Sequence, residues 1–230
     1  MTFAERHQLK VIEDNAQSIG ADYSFSNGQQ QKSGTIGHIG CTSFYPSKNL
    51  GCYGDGGAIM TKDAALADKI RMVANHGQVR RYYHDIVGVN SRLDSIQAAI
   101  LHIKLQHLDA YIAARQAAAD FYDAAFAKCN DVVTPRRATN STHVFHQYTL
   151  RVKNGQRDAL KTHLSERGIP SMIYYPLPVY KQKAYDGYGA SALLITESLC
   201  DEVLSLPMHT ELEEEQLAYI TQSVIQFFEQ

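Results

Sequence analysis

The sequence has no excess of charge of either sign. Its 22 lysines and arginines stand against 24 aspartates and glutamates, a formal net charge of −2 over 230 residues. That balance offers no basic patch to nucleic acid and no acidic tail. Long apolar runs are missing too, and none approaches the roughly 20 residues that a bilayer-spanning helix needs. No charged-then-apolar leader precedes a small-residue cleavage site, so the chain reads as without a signal peptide. The four cysteines (Cys41, Cys52, Cys129 and Cys200) form no C-x-x-C pair and show no metal-ligand spacing. They read as reduced cytosolic thiols, mostly in the core, and argue for no metal site. No internal repeat or low-complexity tract stands out. Apolar residues make up 44% of the chain, ample for a core.

The stretch with chemistry in it runs from Ser43 to Met60: SFYPSKNL, then GCYGDGGAIM. It reads as a strand, a tight turn carrying Lys48, a glycine-rich return and a second short strand. Pro46 lacks a donor and stops a regular ladder, while Gly51, Gly54, Gly56 and Gly57 let the chain fold back closely. A lysine held there suits a covalent amine that condenses with carbonyls. A surface lysine in a glycine-rich hairpin is an equally good reading of this stretch by itself. Upstream, KVIEDNAQSIGA opens with a short apolar run and ends it in acid. A carboxylate at the carboxyl end of a buried strand is where open α/β sheets place ligand contacts. Asp14 and Lys48 thus form a pair with a mechanism. A pyridoxal phosphate ring needs an acid at its nitrogen to act as an electron sink and an amine at its aldehyde carbon.

Five blocks in order then carry a resemblance: VIEDNAQSIGA, GTIGHIGCTSFYPSKNLGCYGDGGAI, NHGQ, YYHDIVGVNSRLDSIQAAIL and IPSMIYYPLPVYKQKAY. Together they resemble the DegT/DnrJ/StrS sugar-nucleotide aminotransferases, over almost the whole chain. The resemblance implies a fold-type I pyridoxal phosphate enzyme of α/β class, with part of a large domain built on a mixed, mostly parallel sheet and a smaller α+β C-terminal domain. It implies Lys48 as the Schiff-base residue and later proton shuttle, Asp14 at the ring nitrogen, Gln17 at the ring face or phenolic oxygen, and Ser43 on the phosphate. Asn90 is implied to reach a partner subunit's phosphate site in a homodimer, with Arg92 near the neighbouring substrate. Tyr174 and Tyr175 border the substrate cleft. The implied substrate is a nucleotide-linked keto sugar, closest to a dTDP-linked keto-deoxyhexose aminated at C3, with glutamate as amino donor. Family members carry a further N-terminal segment, so the chain reads as a fragment or truncated product. A truncated homologue that folds or dimerises but binds the cofactor poorly is the rival reading. Dehydratases of the same fold carry histidine where this chain has Lys48, and Ser47-Lys48 is in the wrong order for a P-loop.

The domain expectation is 1–105 for the C-terminal part of the large domain, 106–128 for a bridging helix and 129–230 for the small domain. In order, the pattern predicts the end of a helix in residues 1–8, a strand at Val11-Ile12, and a hairpin in 22–35 turning at Asn27-Gly28. A strand follows over 41–45, then a helix over 63–74 capped near Asp63, with Leu66, Ile70 and Val73 on one face. Residues 75–90 read as a polar loop. One long helix is predicted from Leu93 to about Lys128, burying Leu93, Ile96, Ile100, Ile103, His107/Leu108, Tyr111 and Ile112 along one face. Strand texture runs through 132–134 and 143–152, with His143 and His146 not at metal spacing. A helix over 157–167 ends at Gly168. A strand over 169–174, a helix over 190–200, a strand over 203–207 and an acid-started last helix complete the pattern.

Overall fold

The computed structural model describes residues 1–189 and 191–229. They fall into two compact units: Met1–Ala113 with Ala138–His146, and Ala114–Arg137 with Gln147–Gln230.

In the first unit, α1 (Thr2–Arg6) buries Ala4 and leads into β1 (Ile12–Asp14). The expected hairpin is formed by β2 (Asp22–Ser24) and β3 (Gln30–Lys32), with Gly28 in the left-handed region its turn requires. Residues 140–142 are stitched to it, Ser24 N donating to Asn140 O at 2.8 Å and Thr142 N to Asp22 O at 2.9 Å. β4 (Ile39–Ser43) runs parallel to β1, with Asp14 opposite Cys41. β5 (Gly57–Met60) runs antiparallel to β4, with Gly57 opposite Ser43. The sheet order is β1-β4-β5, a mixed sheet.

α2 (Ala64–Ala74) begins where Asp63 accepts from Leu66 N at 3.1 Å, satisfying one of the orphan donors of the first turn. Leu66, Ile70 and Val73 form its half-buried face, as the spacing predicts. Asp63→Ala is expected to cost about 1 kcal/mol, read as a lower urea midpoint with unchanged m-value.

Three features depart from the pattern. Residues read as a polar loop contain a short hairpin, β6 (Gln78–Arg80) with β7 (Tyr83–His84), where the Arg80 guanidinium lies 3.4 Å from the Tyr83 ring centroid. The single long helix is two, α3 (Ser95–Leu105) and α4 (Leu108–Phe126). Gln106 N and His107 N turn back to Ile103 O and Lys104 O, three residues earlier, and the ladder restarts with Tyr111 N on His107 O. The break seats Leu108 and Ile112 beside Gly20, in one cluster with Ala21, Phe44, Leu50, Cys52, Leu101 and Val144. Core packing outweighs helix continuity here. The expected buried stripe is also incomplete. Ile96 is 74% and Ile103 61% exposed, because that face of α3 meets no partner among the described residues.

In the second unit, the later turns of α4 bury Ala118, Ala119, Tyr122 and Phe126. They pack with β8 (Val132–Val133) and β9 (Tyr148–Val152), whose alternate residues Tyr148, Leu150 and Val152 are fully buried. α5 (Arg157–Glu166) ends before Gly168 at φ +71°, as its glycine signals. α6 (Leu194–Glu202) leads into β10 (Val203–Leu206), and the antiparallel sheet runs β10-β9-β8. Of the helix expected over 190–200, Ala190 lies outside the described residues. α7 (Glu214–Phe228) starts with a capping box between Glu213 and Gln216 and buries Leu217, Ile220 and Val224.

Two expected strands form only in part: the one read over 143–152 begins at Tyr148, and the one read over 169–174 does not form beyond a bridge. Residues 143–147 are irregular although Val144 and Phe145 are buried, since Phe145 takes φ +43° and its N–H is spent on His143 Nδ1 at 3.0 Å. Residues 169–174 keep only one bridge, Met172 to Ser205. Tyr148 donates to Asp123 Oδ1 at 2.5 Å, and Arg137 pairs with Asp123 and Asp120. Burial, reinforced by that carboxylate, raises the Tyr148 phenol well above the ordinary tyrosine range.

Candidate active site

Two parallel neighbours, β1 and β4, present their carboxyl ends at the same edge of the first unit's sheet. Asp14 closes β1. Its Oδ1 accepts from Ala16 N at 3.0 Å, a turn that leads directly to Gln17. Ser43 closes β4, and its Oγ accepts from Tyr45 N at 3.2 Å, leaving its O–H to give elsewhere. The chain then turns with Lys48 N on Tyr45 O at 2.8 Å. Phe44 before the turn and Leu50 and Cys52 after it are buried, so the turn is pinned at both feet and Lys48 stands between them, half-buried. Gly51 is required at the return, because a Cβ there would sit 2.4 Å from Pro46 O. The Cys52 Sγ lies 3.0 Å from the carbonyl oxygens of Phe44 and Gly54, fully buried.

The structure therefore brings Asp14, Gln17, Ser43 and Lys48 to one sheet edge. Asp14 and Gln17 are exposed and Ser43 half-buried, so the described residues leave this edge open to solvent. Among the described residues the Lys48 amine has no hydrogen bond or ion pair. A free amine, a carboxylate with one oxygen unengaged and a hydroxyl with its proton to give are the donor set that a pyridoxal phosphate needs, and these residues fit it.

Asn90 and Arg92 lie further along the first unit, both exposed, with Arg92 Nε on Asn90 Oδ1 at 3.3 Å. Asn90 bridges Asn75 and Ser91 N bonds Ala74 O, which fixes this segment beside the end of α2. Leu93 then packs against Gly56, and Gln97 receives Tyr53 N at 2.7 Å, tying the start of α3 to the glycine-rich return.

One residue without a motif emerges. Glu13 accepts from three backbone donors: Gly34 N at 2.8 Å, Ile36 N at 2.7 Å and Gly37 N at 2.5 Å. It holds the segment that enters β4, and its partners lie too far along the chain for a local signal to show it.

Tyr174 and Tyr175 belong to the second unit. They line a cavity of about 500 Å³ with Pro176, Leu177, Leu199 and Cys200 among its walls. Glu197 clamps its rim, accepting from Tyr180 Oη and pairing with Lys181 Nζ at 2.7 Å. Lys181 and then Tyr180 hold the Glu197 carboxyl below the usual carboxylate range. Its stabilisation is complete above the unfolded-state value near 4.3 and fades as pH falls through the lower folded value. Glu197→Gln is expected to flatten that acid limb in a series of thermal melts below about pH 4.5.

Among the described residues no group of histidine, cysteine and carboxylate side chains could hold a metal ion, and no helix is long and apolar enough to cross a membrane. All four cysteines are free, but only Cys52 is buried; the other three, expected mostly in the core, are half-buried.

The model of the DegT/DnrJ/EryC1/StrS aminotransferase family matches residues 1–225. The chain belongs to that family. It is 47% identical over 220 residues to a UDP-N-acetyl-3-dehydro-alpha-D-glucosamine 3-aminotransferase of Acidithiobacillus ferrooxidans, covering 96% of this chain and 58% of that protein. The crystal structure of Streptomyces venezuelae DesV in complex with a ketimine intermediate aligns over all of this chain and 60% of its own, at TM-score 0.91 and 38% identity. Bacillus subtilis NtdA with bound cofactor PMP aligns at TM-score 0.87 and 29% identity, over all of this chain and 52% of its own. Further relatives are named for dTDP- and GDP-linked sugars, at 40% and 36% identity. The family member spans about 60% of the length of the curated relatives it matches. The fold is that of the sugar aminotransferases, as the resemblance implies.

Proposed function

We propose that this chain supplies the covalent-cofactor half of a pyridoxal phosphate-dependent aminotransferase acting on a nucleotide-linked keto sugar. The observation that carries the reading is the shared edge: Asp14 and Ser43 end two parallel strands side by side, and the Lys48 turn issues from the same end. When bound, pyridoxal phosphate supplies an aldehyde for amine exchange and a ring that takes up electron density. Lys48 holds it covalently and, once released, moves a proton at the substrate carbon. Asp14 keeps the ring nitrogen protonated. Ser43 donates to the phosphate, and Gln17 lies against the ring or its phenolic oxygen.

The finer reading is a dTDP-linked keto-deoxyhexose aminated at C3 with glutamate as donor. The assembly is a cytoplasmic homodimer in which Asn90 approaches the partner copy's phosphate site and Arg92 its sugar. Their exposure in this chain supports that outward role. Tyr174 and Tyr175, on the wall of an apolar cavity, border the substrate. Residues 1–105, 106–128 and 129–230 act as part of the cofactor domain, a bridge and a small domain, except that the 138–146 segment packs with the first unit.

The test is addition of pyridoxal phosphate to the chain. An absorbance band that borohydride abolishes, with the added mass on the Lys48 peptide, supports the reading. No band, or reduction onto other lysines only, overturns it in favour of a homologue that folds without holding the cofactor. Amination assayed across dTDP-, UDP- and GDP-linked keto sugars then decides the nucleotide.

A further inference from the structure

Asp14 and Lys48 are each followed by a buried asparagine. Asn49 follows Lys48 and is only 8% exposed. Its Nδ2 donates at 2.8 Å to the carbonyl of Val144, 95 residues away, in the segment stitched to the β2–β3 hairpin. Its Oδ1 is buried and accepts nothing. Asn15 follows Asp14 and is 1% exposed. Its backbone N donates to Cys41 O at 2.7 Å, and its Oδ1 accepts from Ser18 Oγ at 2.5 Å and Ser33 Oγ at 2.7 Å. Its Nδ2, in turn, is buried without a partner.

Such side chains are costly where they stand. A buried amide oxygen left without a donor costs about 1–3 kcal/mol. Leu50 and Val144 beside Asn49 belong to one apolar cluster, so a leucine there would remove the orphaned amide oxygen but leave the buried Val144 carbonyl without its donor. In stability the amide's bond to Val144 and its own unpartnered oxygen roughly offset each other. What the amide does is fix the backbone one residue beyond the lysine to a segment far along the chain. The glycine-rich return that follows Asn49 has little stiffness of its own.

We propose that Asn49 is the positioning residue for Lys48, clamping the turn to the Val144 carbonyl so that the amine stands at a set place relative to the Asp14 carboxylate, with Asn15 the matching clamp beneath Asp14. This rests on the reading of Lys48 as the residue that holds the cofactor. Misplacement by about 1 Å costs on the order of 10²-fold in a step that depends on alignment. Losing the clamp therefore acts on capture of pyridoxal more than on folding.

The experiment uses the full chain and pyridoxal phosphate as probe, comparing the parent with Asn49→Leu and with Asp63→Ala, which loses stability at a helix cap. The readouts are the rate at which the borohydride-sensitive band appears, the pH midpoint of that band, and the melting temperature without cofactor. Asn49→Leu is expected to melt close to the parent, to capture pyridoxal about tenfold or more slowly, and to shift the pH midpoint. Asp63→Ala is expected to melt lower and leave both spectral readouts alone. If Asn49→Leu does not fold, Asn49→Ser, small enough to admit a water, is read the same way. Parental rate and midpoint in the asparagine variant, or changes that Asp63→Ala reproduces, overturn the assignment. A parent chain that traps no pyridoxal overturns the Lys48 reading beneath it instead.

Discussion

Replacing Lys48 by alanine is expected to leave a folded chain that retains no pyridoxal after borohydride treatment and transaminates about 10²–10⁴-fold more slowly. The folding half of that expectation follows from the turn. The Lys48 amine makes no hydrogen bond or ion pair among the described residues, and the turn is held by Lys48 N on Tyr45 O and by buried Phe44, Leu50 and Cys52. Truncating a half-buried side chain with no polar partner costs about 1 kcal/mol, too little to unfold the chain. Lys48→Arg separates charge from chemistry, since a guanidinium keeps the cation but does not deprotonate to attack a carbonyl. It should lose the trapped mass as completely as alanine does. Undiminished transamination by either variant would remove Lys48 from the reaction.

Glu13→Ala should produce the largest loss of stability in the first unit. One carboxylate receives three backbone N–H groups from Gly34, Ile36 and Gly37. A hydrogen bond to a charged group contributes about 1.5–3 kcal/mol, and bonds sharing one acceptor group are not additive, so the expected cost is about 3–5 kcal/mol. Urea unfolding should show it as a lower midpoint. The chemical consequence is separate: the 34–37 segment enters β4, whose far end presents Ser43 and Lys48, so capture of pyridoxal should weaken as well. Glu13→Gln, with one acceptor oxygen in place of two, should fall between parent and alanine. A glutamine variant as stable as the parent would mean that water replaces these bonds freely.

Local signals were read well where they act locally. Asp63 caps α2, Gly168 closes α5 and an acidic first turn opens α7, because each signal acts within a few residues. The alternation of Tyr148, Leu150 and Val152 marked β9 for the same reason. The break between α3 and α4 left no mark, since Gln106 and His107 are ordinary helix residues and the cause is packing against Gly20, far upstream. Residues 143–147 alternate like a strand but spend a backbone donor on His143. At the sheet edge, the types and order of Asp14, Ser43 and Lys48 were legible. The supports were not. Besides a local bond from Ser18 to Asn15, Glu13, Asn15 and Asn49 act on partners between 18 and 95 residues away, and no short motif encodes such a span.

The sealed sulfur behind the lysine turn doubles as a reporter. Cys52 is shut away between two carbonyl oxygens, whereas Cys41, Cys129 and Cys200 are each partly open to solvent. Alkylating reagents should therefore modify three thiols first, and the lag before the fourth measures how often the glycine return swings open.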